Sequence, residues 1–301
     1  MKIELIMTKE LKRLFKGLSS SRVGLGALQF LFTRTYVDIG GIDAGRVKLS
    51  MLRVPYEPVS NFPKPVSIEG DYCLRILSNI LDGETITIEE YTDESQHYGV
   101  KLSLNNREFT FTEYANVPLI KMNSLDTIYM DKREKKSYSI INKKTKEILD
   151  NHVYDRKTAV RYIQANPDIY KDAEIKEHST IITQDFCEFE MEWKEWQYIL
   201  REMNLMNFDV FELSTEDGWI QIYSENYYYT YKRKLISLSK CRKTSEIKKS
   251  TFALKNFDRN IYQPIKIQIA DDQPICLSFE YEGIILRQFI APRIEVFEDD
   301  D

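Results

Sequence analysis

The feature that constrains this chain most is one order of secondary structure, β-α-β-β-β, which the hydrophobic pattern repeats four times. In the first copy, Lys2–Met7 alternates apolar and polar residues as a strand does. Thr8 is a helix-capping residue, and the amphipathic helix that follows it ends near Leu18. Three further strands are predicted over residues 28–33, 36–42 and 47–54. Such a chain should fold as an α+β protein built from one repeated unit.

The same order follows three more times, so that two copies lie on each side of a long central segment. The second copy predicts a strand over Val66–Glu69, a helix over Asp71–Leu81, and strands over 85–91, 98–104 and 107–114. The third predicts a strand over 186–191, a helix over 192–205, and strands over 209–214, 218–224 and 227–238. The fourth predicts a strand over 245–250, a helix over 251–262, and strands over 264–270, 273–281 and 284–290. The 301 residues therefore divide into a domain at 1–114, an interdomain connector at 115–185 and a domain with an acidic tail at 186–301.

The connector has secondary structure of its own. Lys136–Asn151 predicts a hairpin that turns at Asn142–Thr145, and Asp155–Ala165 predicts a helix that ends before Asn166-Pro167. We therefore expect a hairpin-helix insertion between the two domains.

Basic residues are gathered on the predicted helices, although the net charge of the chain is −5. Bulk charge does not support nucleic-acid binding, so such a role needs cations on one surface. In the first helix an apolar stripe of Leu11, Leu14, Phe15 and Leu18 lies beside a basic stripe of Lys9, Lys12, Arg13 and Lys16. The later helices offer Arg75, then Lys194 and Arg201, then Lys255 and Arg259. Simple solvation explains one such stripe equally well, whereas its repetition favours a common binding surface.

Two features of the predicted helices weigh against a common basic binding surface. The third helix also carries Glu192, Glu195 and Glu202, which oppose its positive charge. The second helix has one basic residue, beside Ser78 and Asn79.

The sequence gives little support for catalysis, metal binding or a membrane span. His97, His152 and His178 lie at no ligand spacing, and Cys73, Cys187, Cys241 and Cys276 form no C-x-x-C pair, which is typical of reduced core thiols in an intracellular protein. Gly24-Leu25-Gly26 lacks the third glycine of a dinucleotide fingerprint, because Gln29 stands there. The N-terminus acquires charge too early for a signal peptide, and no apolar run approaches ~18 residues. We expect no catalytic residues, no metal and no cofactor; a hydrolase whose triad assembles in space is the alternative.

The C-terminal run from Gln273 resembles the end of the PCNA sliding clamps. Ile290–Glu295 reads I-A-P-R-I-E, where that family has L-A-P-K-I-E followed by acidic residues. Residues 41–49 are similar to the family's M-D-S-S-H-V-x-L segment, and Thr251–Leu254 matches its T-F-A-L. The resemblance covers about residues 1–114 and 186–297.

This resemblance implies a PCNA-like DNA clamp fold of two domains, each made of two β-α-β-β-β units. Three subunits would join head to tail into a ring whose helices face duplex DNA in a central hole. The implied DNA-binding residues are Lys9, Lys12, Arg13, Lys16, Arg75, Lys194, Arg201, Lys255 and Arg259. The implied pocket for partner peptides is lined by Ile42, Val47, Leu49, Pro274, Ala291, Pro292 and Ile294. Ala44-Gly45-Arg46 replaces the S-S-H of the family beside this pocket.

Strand edges should form the subunit interface, because exposed edges take up strand partners. We expect Glu108, Phe109, Phe111 and Glu113 of one copy to face Tyr229, Tyr231 and Arg233 of the next. Glu108 and Glu113 would then lie opposite the cations of the second strand.

The resemblance thus implies a non-enzymatic sliding clamp that tethers DNA polymerase and other replication proteins and is assembled on DNA by an ATP-driven clamp loader. We expect it to be intracellular, with replicating DNA, in a nucleus or a host cytoplasm. The long connector favours a viral or phage clamp over a cellular one. The alternative is a clamp-fold regulatory scaffold, such as a checkpoint-type ring subunit or a viral transcription accessory factor.

Overall fold

The structure is a computed structural model of the full chain. It describes residues 2–18, 25–43, 47–57, 64–92, 94, 97–113, 132–150, 156–183, 186–242, 244–257 and 265–293. The chain forms two compact units. The main unit consists of Met1–Leu125 with Asp185–Asp301, and the insert unit is Asp126–Gln184.

The first half of the main unit has the strands and helices that the sequence predicts. They are β1 (Lys2–Ile6), α1 (Lys9–Lys16), β2 (Leu25–Phe32), β3 (Tyr36–Asp43), β4 (Lys48–Pro55), β5 (Val66–Glu69), α2 (Gly70–Asn79), β6 (Thr85–Thr92), β7 (Tyr98–Leu104) and β8 (Arg107–Thr112). Side chains cap both helices. The Thr8 hydroxyl accepts a hydrogen bond from the Leu11 amide at 3.1 Å, and the Glu69 carboxylate accepts from the Tyr72 amide at 2.8 Å.

The described residues of the insert unit form a three-stranded antiparallel sheet with one helix. Its elements are β9 (Lys132–Asn142), β10 (Ile148–Asp150), α3 (Arg156–Ala165) and β11 (Ala173–Thr183), with the sheet order β10-β9-β11. The predicted hairpin and helix are confirmed. Asn142 tightens the hairpin turn, because its side-chain oxygen accepts from the Lys144 and Thr145 amides at 2.8 and 3.1 Å. Strand β11 is additional to the prediction.

The second half of the main unit repeats the architecture of the first with one departure. Its elements are β12 (Cys187–Met191), α4 (Trp193–Leu205), β13 (Val210–Glu216), β14 (Trp219–Glu225), β15 (Thr230–Ser237), β16 (Ser250–Ala253), β17 (Ile265–Ile269), β18 (Ile275–Tyr281) and β19 (Ile284–Ile290). A short 3-10 helix, Leu238–Lys240, follows β15, and a second one, Leu254–Asn256, called the 3-10 turn below, follows β16.

The prediction of a strand over 245–250 and a helix over 251–262 is wrong where the structure describes these residues. Residues 250–253 form a strand that pairs with β13, and residues 258–264 lie outside the described part of the chain. The strand is favoured because it buries Phe252 in an aromatic cluster, 5.9 Å from the ring of Phe211 and 6.2 Å from that of Phe257.

Three antiparallel sheets make up the described part of the main unit. An eight-stranded sheet runs β12-β17-β18-β19-β4-β3-β2-β5, and two four-stranded sheets run β1-β6-β7-β8 and β15-β14-β13-β16. Ile285–Ile290 of β19 pairs with residues 48–53 of β4. This pairing joins the two halves of the main unit in one shared sheet.

Helices α1 and α4 of the main unit pack on the same face of the shared sheet. Trp193 of α4 lies edge-on against Phe279, with ring centroids 5.5 Å apart, and the Gln288 amide donates to the carbonyl of Gly17 at the end of α1 at 2.7 Å. Phe279 pairs with Leu286, two residues from Gln288, so these side chains share one face. We call this face the helix side of the shared sheet and the opposite face its outer side.

We predict that Gly99→Ala weakens the attachment of β8 to its sheet. Gly99 pairs with Thr112, and a Cβ at this position would overlap the carbonyl of Phe111. The strands must separate to admit the methyl group, so the free energy of unfolding should fall by about 1–3 kcal/mol in urea denaturation. Ser103→Ala in the same strand is the control and should change it far less. An unchanged unfolding midpoint for Gly99→Ala would contradict the tight strand contact.

Candidate functional site

Helix α1 has a buried apolar face and a basic face. Leu11, Leu14 and Phe15 are buried in the core, which leaves the basic face directed away from it. Lys9 and Lys16 are exposed, and Arg13 is half-buried. Lys12 is mostly covered and forms an ion pair with Asp82, which follows α2. Sequence reasoning missed this acid, and one of the four cations of α1 is therefore partly neutralised.

The other predicted basic residues lie on α2, α4 and the 3-10 turn. Arg75 is exposed, and its guanidinium lies over the ring of Tyr72, 5.7 Å from the centroid. Lys194 and Arg201 are exposed on α4, and Lys255 is exposed on the 3-10 turn. Arg259 lies outside the described residues. Helices α1 and α2 pack against each other, and α4 packs against the 3-10 turn through Trp196 and Phe257, so the cations lie on neighbouring elements in each half.

Arg233 on β15 compensates two of the acidic residues of α4. Its guanidinium lies 3.2 Å from a Glu195 oxygen and 3.4 Å from a Glu202 oxygen. The Tyr231 hydroxyl also donates to Glu202 at 2.9 Å, and burial together with this carboxylate raises the pKa of Tyr231 to about 12. Glu192 is exposed. The positive charge of Lys194 and Arg201 is therefore opposed less than the sequence suggests.

Most of the predicted pocket residues lie side by side on the outer side of the shared sheet. Strand pairing places Ile42 beside Leu49 and Leu49 beside Phe289. The Ala291 amide donates to the Val47 carbonyl at 2.9 Å, so Ala291 and Val47 are neighbours in the next row. Leu49 and Ala291 are half-buried. This row is on the outer side because Phe289 follows Gln288, whose side chain lies on the helix side.

The remaining pocket residues lie at the same end of these strands. Pro274 precedes β18 and Pro292 follows Ala291, and both are half-buried. Ile294 and residues 44–46 lie outside the described residues, as does the side chain of Ile42. Phe289 and Cys276 occupy the same row and are buried, and sequence reasoning missed both. Strand alternation from Ala291 was the signal that could have found Phe289.

Both strands that were predicted to form the interface, β8 and β15, lie at the edge of a sheet; the other edge strands of the main unit among the described residues are β1, β5, β12 and β16. In β8 the Glu113 amide donates to the Tyr98 carbonyl at 2.6 Å, so alternation directs the backbone groups of Thr110 to the free edge. In β15 the Asn226 amide donates to the Tyr229 carbonyl at 2.9 Å, so alternation directs those of Lys232 outward. Both edges can therefore accept another strand.

Apolar side chains lie beside both free edges. Next to β8, a groove of about 260 Å³ is lined by Tyr72, Arg75, Ile76, Asn79, Ile80, Leu104, Arg107 and Phe109. Next to β15, α4 exposes Tyr198 and Leu205, which are 54% and 74% exposed. Tyr227, Tyr228 and Tyr229 are also exposed. The side-chain amide of Asn226 donates to the Met206 carbonyl at 2.9 Å and so holds the turn that carries these tyrosines against the end of α4. Phe109 and Tyr229 were among the predicted interface residues, whereas the exposed Tyr198 and Leu205 of α4 were not predicted.

The charged residues of the two edges already have partners within the chain. Glu108 lies 3.7 Å from Lys101, and Lys232 lies 2.7 Å from Glu216, whose pKa it holds below the usual value. Phe109 and Phe111 are half-buried against the core, while Glu113 and Tyr229 are exposed. We therefore expect the burial of apolar side chains to stabilise a contact at these edges more than ion pairs between opposite charges do.

Among the described residues, no three His, Cys, Asp or Glu side chains come together as a metal site, and none of the helices is long and apolar enough to cross a membrane. His178 contacts the Ser139 hydroxyl at 2.7 Å within the insert unit. Burial raises the pKa of all four cysteine thiols, to about 11 for Cys241 and Cys276, which disfavours a nucleophilic thiolate.

Comparisons with known proteins identify the fold. No protein-family model matches the chain, and no curated protein matches its sequence. Three similar solved structures are a PCNA2–PCNA3 complex from Sulfolobus tokodaii (15% identity, TM-score 0.59, 97% of this chain and 99% of that one), proliferating cellular nuclear antigen from Entamoeba histolytica (12%, 0.58, 97% and 98%), and A. fulgidus PCNA bound to the C-terminal region of FEN-1 (13%, 0.56, 97% and 99%). At these identities the likeness concerns the fold, and it covers nearly the whole of both chains. The protein is therefore a PCNA-like clamp in fold.

Proposed function

We propose that the protein is a DNA sliding clamp, a non-enzymatic ring that encircles duplex DNA and tethers DNA polymerase and other replication proteins. The observation that carries this proposal is the placement of α1 and α4, whose cations lie on the helix side of one shared sheet in a PCNA-like fold. Lys and Arg contacts to phosphate are independent of base sequence, so they hold a duplex without fixing a position along it. An ATP-driven loader would place the ring on replicating DNA inside the cell.

The ring would form by head-to-tail pairing of β8 in one copy with β15 in the next. Because the two edges differ, the contact is heterologous and can close into a ring; we propose three copies. The groove between α2 and β8 would receive the exposed apolar residues of α4, Tyr198 and Leu205. Two of the similar structures, a PCNA2–PCNA3 complex and a PCNA bound to the C-terminal region of FEN-1, support a proposal of assembly with other clamp chains and binding of a partner segment.

We predict that Thr110→Pro prevents assembly while the subunit stays folded. Proline removes an N–H that points to the free edge, so the hydrogen bonds between β7 and β8 are kept and those to a second copy are lost. Mass measurement in solution should give a trimer for the unmodified protein and for the control Thr110→Ala, and a monomer for Thr110→Pro. A folded Thr110→Pro trimer would show that the copies meet elsewhere.

We predict that Lys9→Glu with Lys16→Glu weakens retention on circular DNA and lowers the processivity of primer extension by the cognate polymerase. Both side chains are exposed on the basic face of α1, and reversing them replaces attraction to phosphate with repulsion. Lys240→Glu with Lys248→Glu is the control, because it makes the same charge change at exposed positions outside the α-helices. Retention that falls equally in both variants would contradict a specific role for α1. Normal retention without any polymerase stimulation would favour the regulatory scaffold.

The outer side of the shared sheet would bind partner peptides through an aromatic or aliphatic anchor, next to Leu49 and Ala291. We predict that Ala291→Glu lowers the affinity for such a peptide by about 100-fold or more, because it buries an unpaired carboxylate in the contact. Ser278→Glu, also half-buried on the outer side, is the control. Peptide affinity and ring mass are measured on one sample; unchanged affinity for Ala291→Glu would mean that partners bind elsewhere.

A further inference from the structure

Charge is distributed unequally between the two units of the chain. The insert unit contains 12 Lys and Arg against 10 Asp and Glu, which gives a net charge of +2. The main unit contains the remaining 30 basic and 37 acidic residues, for a net charge of −7. Such asymmetry within one chain is typical of a segment that meets a polyanion.

Part of the positive charge of the insert unit lies on one side of helix α3. Helix α3 packs against β9 and β11 and buries Ala159. One exposed side, the basic face, consists of Arg156, Lys157, Val160, Arg161 and Gln164 at helical spacing; Thr158, Tyr162 and Ala165 are exposed next to it. The helix contains no acidic residue. Its exposed surface is therefore basic over two turns.

The stability of the helix does not explain these basic residues. Arg156 and Lys157 lie in the first turn, where the helix dipole disfavours positive charge, and no acidic residue in that turn compensates it. Neither Arg156 nor Arg161 forms an ion pair with a residue that the structure describes. Acidic residues in the same unit pair with other lysines instead, Asp172 with Lys144 and Glu174 with Lys146.

We propose that the basic face of α3 is a second DNA-binding surface, which contacts the phosphate backbone of duplex DNA without reading its sequence. This surface lies outside the helices that carry the proposed clamp function and does not require a closed ring. The composition of the face favours nucleic acid over an acidic protein segment. Val160 is the one large apolar side chain among its five residues, whereas protein interfaces centre on apolar and aromatic anchors with few charges. The other large apolar side chain that α3 exposes, Tyr162, lies next to this face and packs against Tyr170 within the insert unit, with ring centroids 5.7 Å apart.

The test compares two charge reversals in the full-length protein. Arg156→Glu with Arg161→Glu changes the face of α3, and Lys143→Glu with Lys176→Glu makes the same charge change at exposed positions of the insert unit outside α3. Binding to a short linear duplex is measured by fluorescence anisotropy from low to high salt, with circular dichroism to verify folding. The α3 variant should bind about 10-fold more weakly at low salt, and its salt slope should be smaller by about two, because two phosphate contacts are lost. The control should bind nearly as the unmodified protein does.

Three results would overturn the proposal: equal losses in both variants, an unchanged salt slope in the α3 variant, or a loss of binding to poly-glutamate with DNA binding intact, which would indicate an acidic protein partner. If the α3 charge-reversal variant does not fold, the test uses Arg156→Gln with Arg161→Gln in its place. Retention on circular DNA is measured in parallel and reports the clamp function separately. A ring that slides off linear ends but holds circles, with no effect of α3, would support the clamp and refute this second surface.

Discussion

The pairing of β19 with β4 is the interaction on which the rest of the main unit depends. Six consecutive residue pairs join strands about 230 residues apart in sequence, and they turn two similar halves into one eight-stranded sheet. A buried hydrogen bond from Gln288 to the Gly17 carbonyl ties the end of α1 to this seam. Since side chains alternate along β19, Gln288 holds a helix on one side while Phe289 contributes to the outer side. One sheet thus separates the proposed DNA surface from the proposed partner surface.

The sequence predicts well where one stretch of chain contains the whole signal, as in α1. Leu11, Leu14 and Phe15 repeat at helical spacing behind a capping threonine, and the helix begins and ends within about two residues of the prediction. The prediction fails at residues 250–257, where Leu254 and Phe257 also suit a helix. There the strand is decided by Phe211 and Val210, which lie some 40 residues earlier and are absent from any local window.

The candidate site shows the same limit. Each cation of α1 can be read from the helical pattern, but the partner of Lys12 comes from the turn after α2. The acids of α4 look unfavourable for a DNA surface until Arg233, on a strand about 30 residues later, is seen to bind two of them. The resemblance named pocket residues at the start of β4 and at the end of β19, but strand register was needed to show that Val47, Ala291 and Leu49 are neighbours.

A clamp with a net charge of −5 can hold DNA only if its acidic residues are kept away from the DNA surface. In the proposed clamp, two features would serve this purpose: Arg233 holds Glu195 and Glu202 beside the strand edge, and α3 contains no acidic residue. Half-exposed ion pairs of this kind add little stability, so their main effect is to fix where the carboxylates lie. Few cations per copy would then face phosphate. In the proposed ring of three copies, weak and sequence-independent contacts would add up to hold the duplex, while each single contact could break and re-form as the ring moves along it.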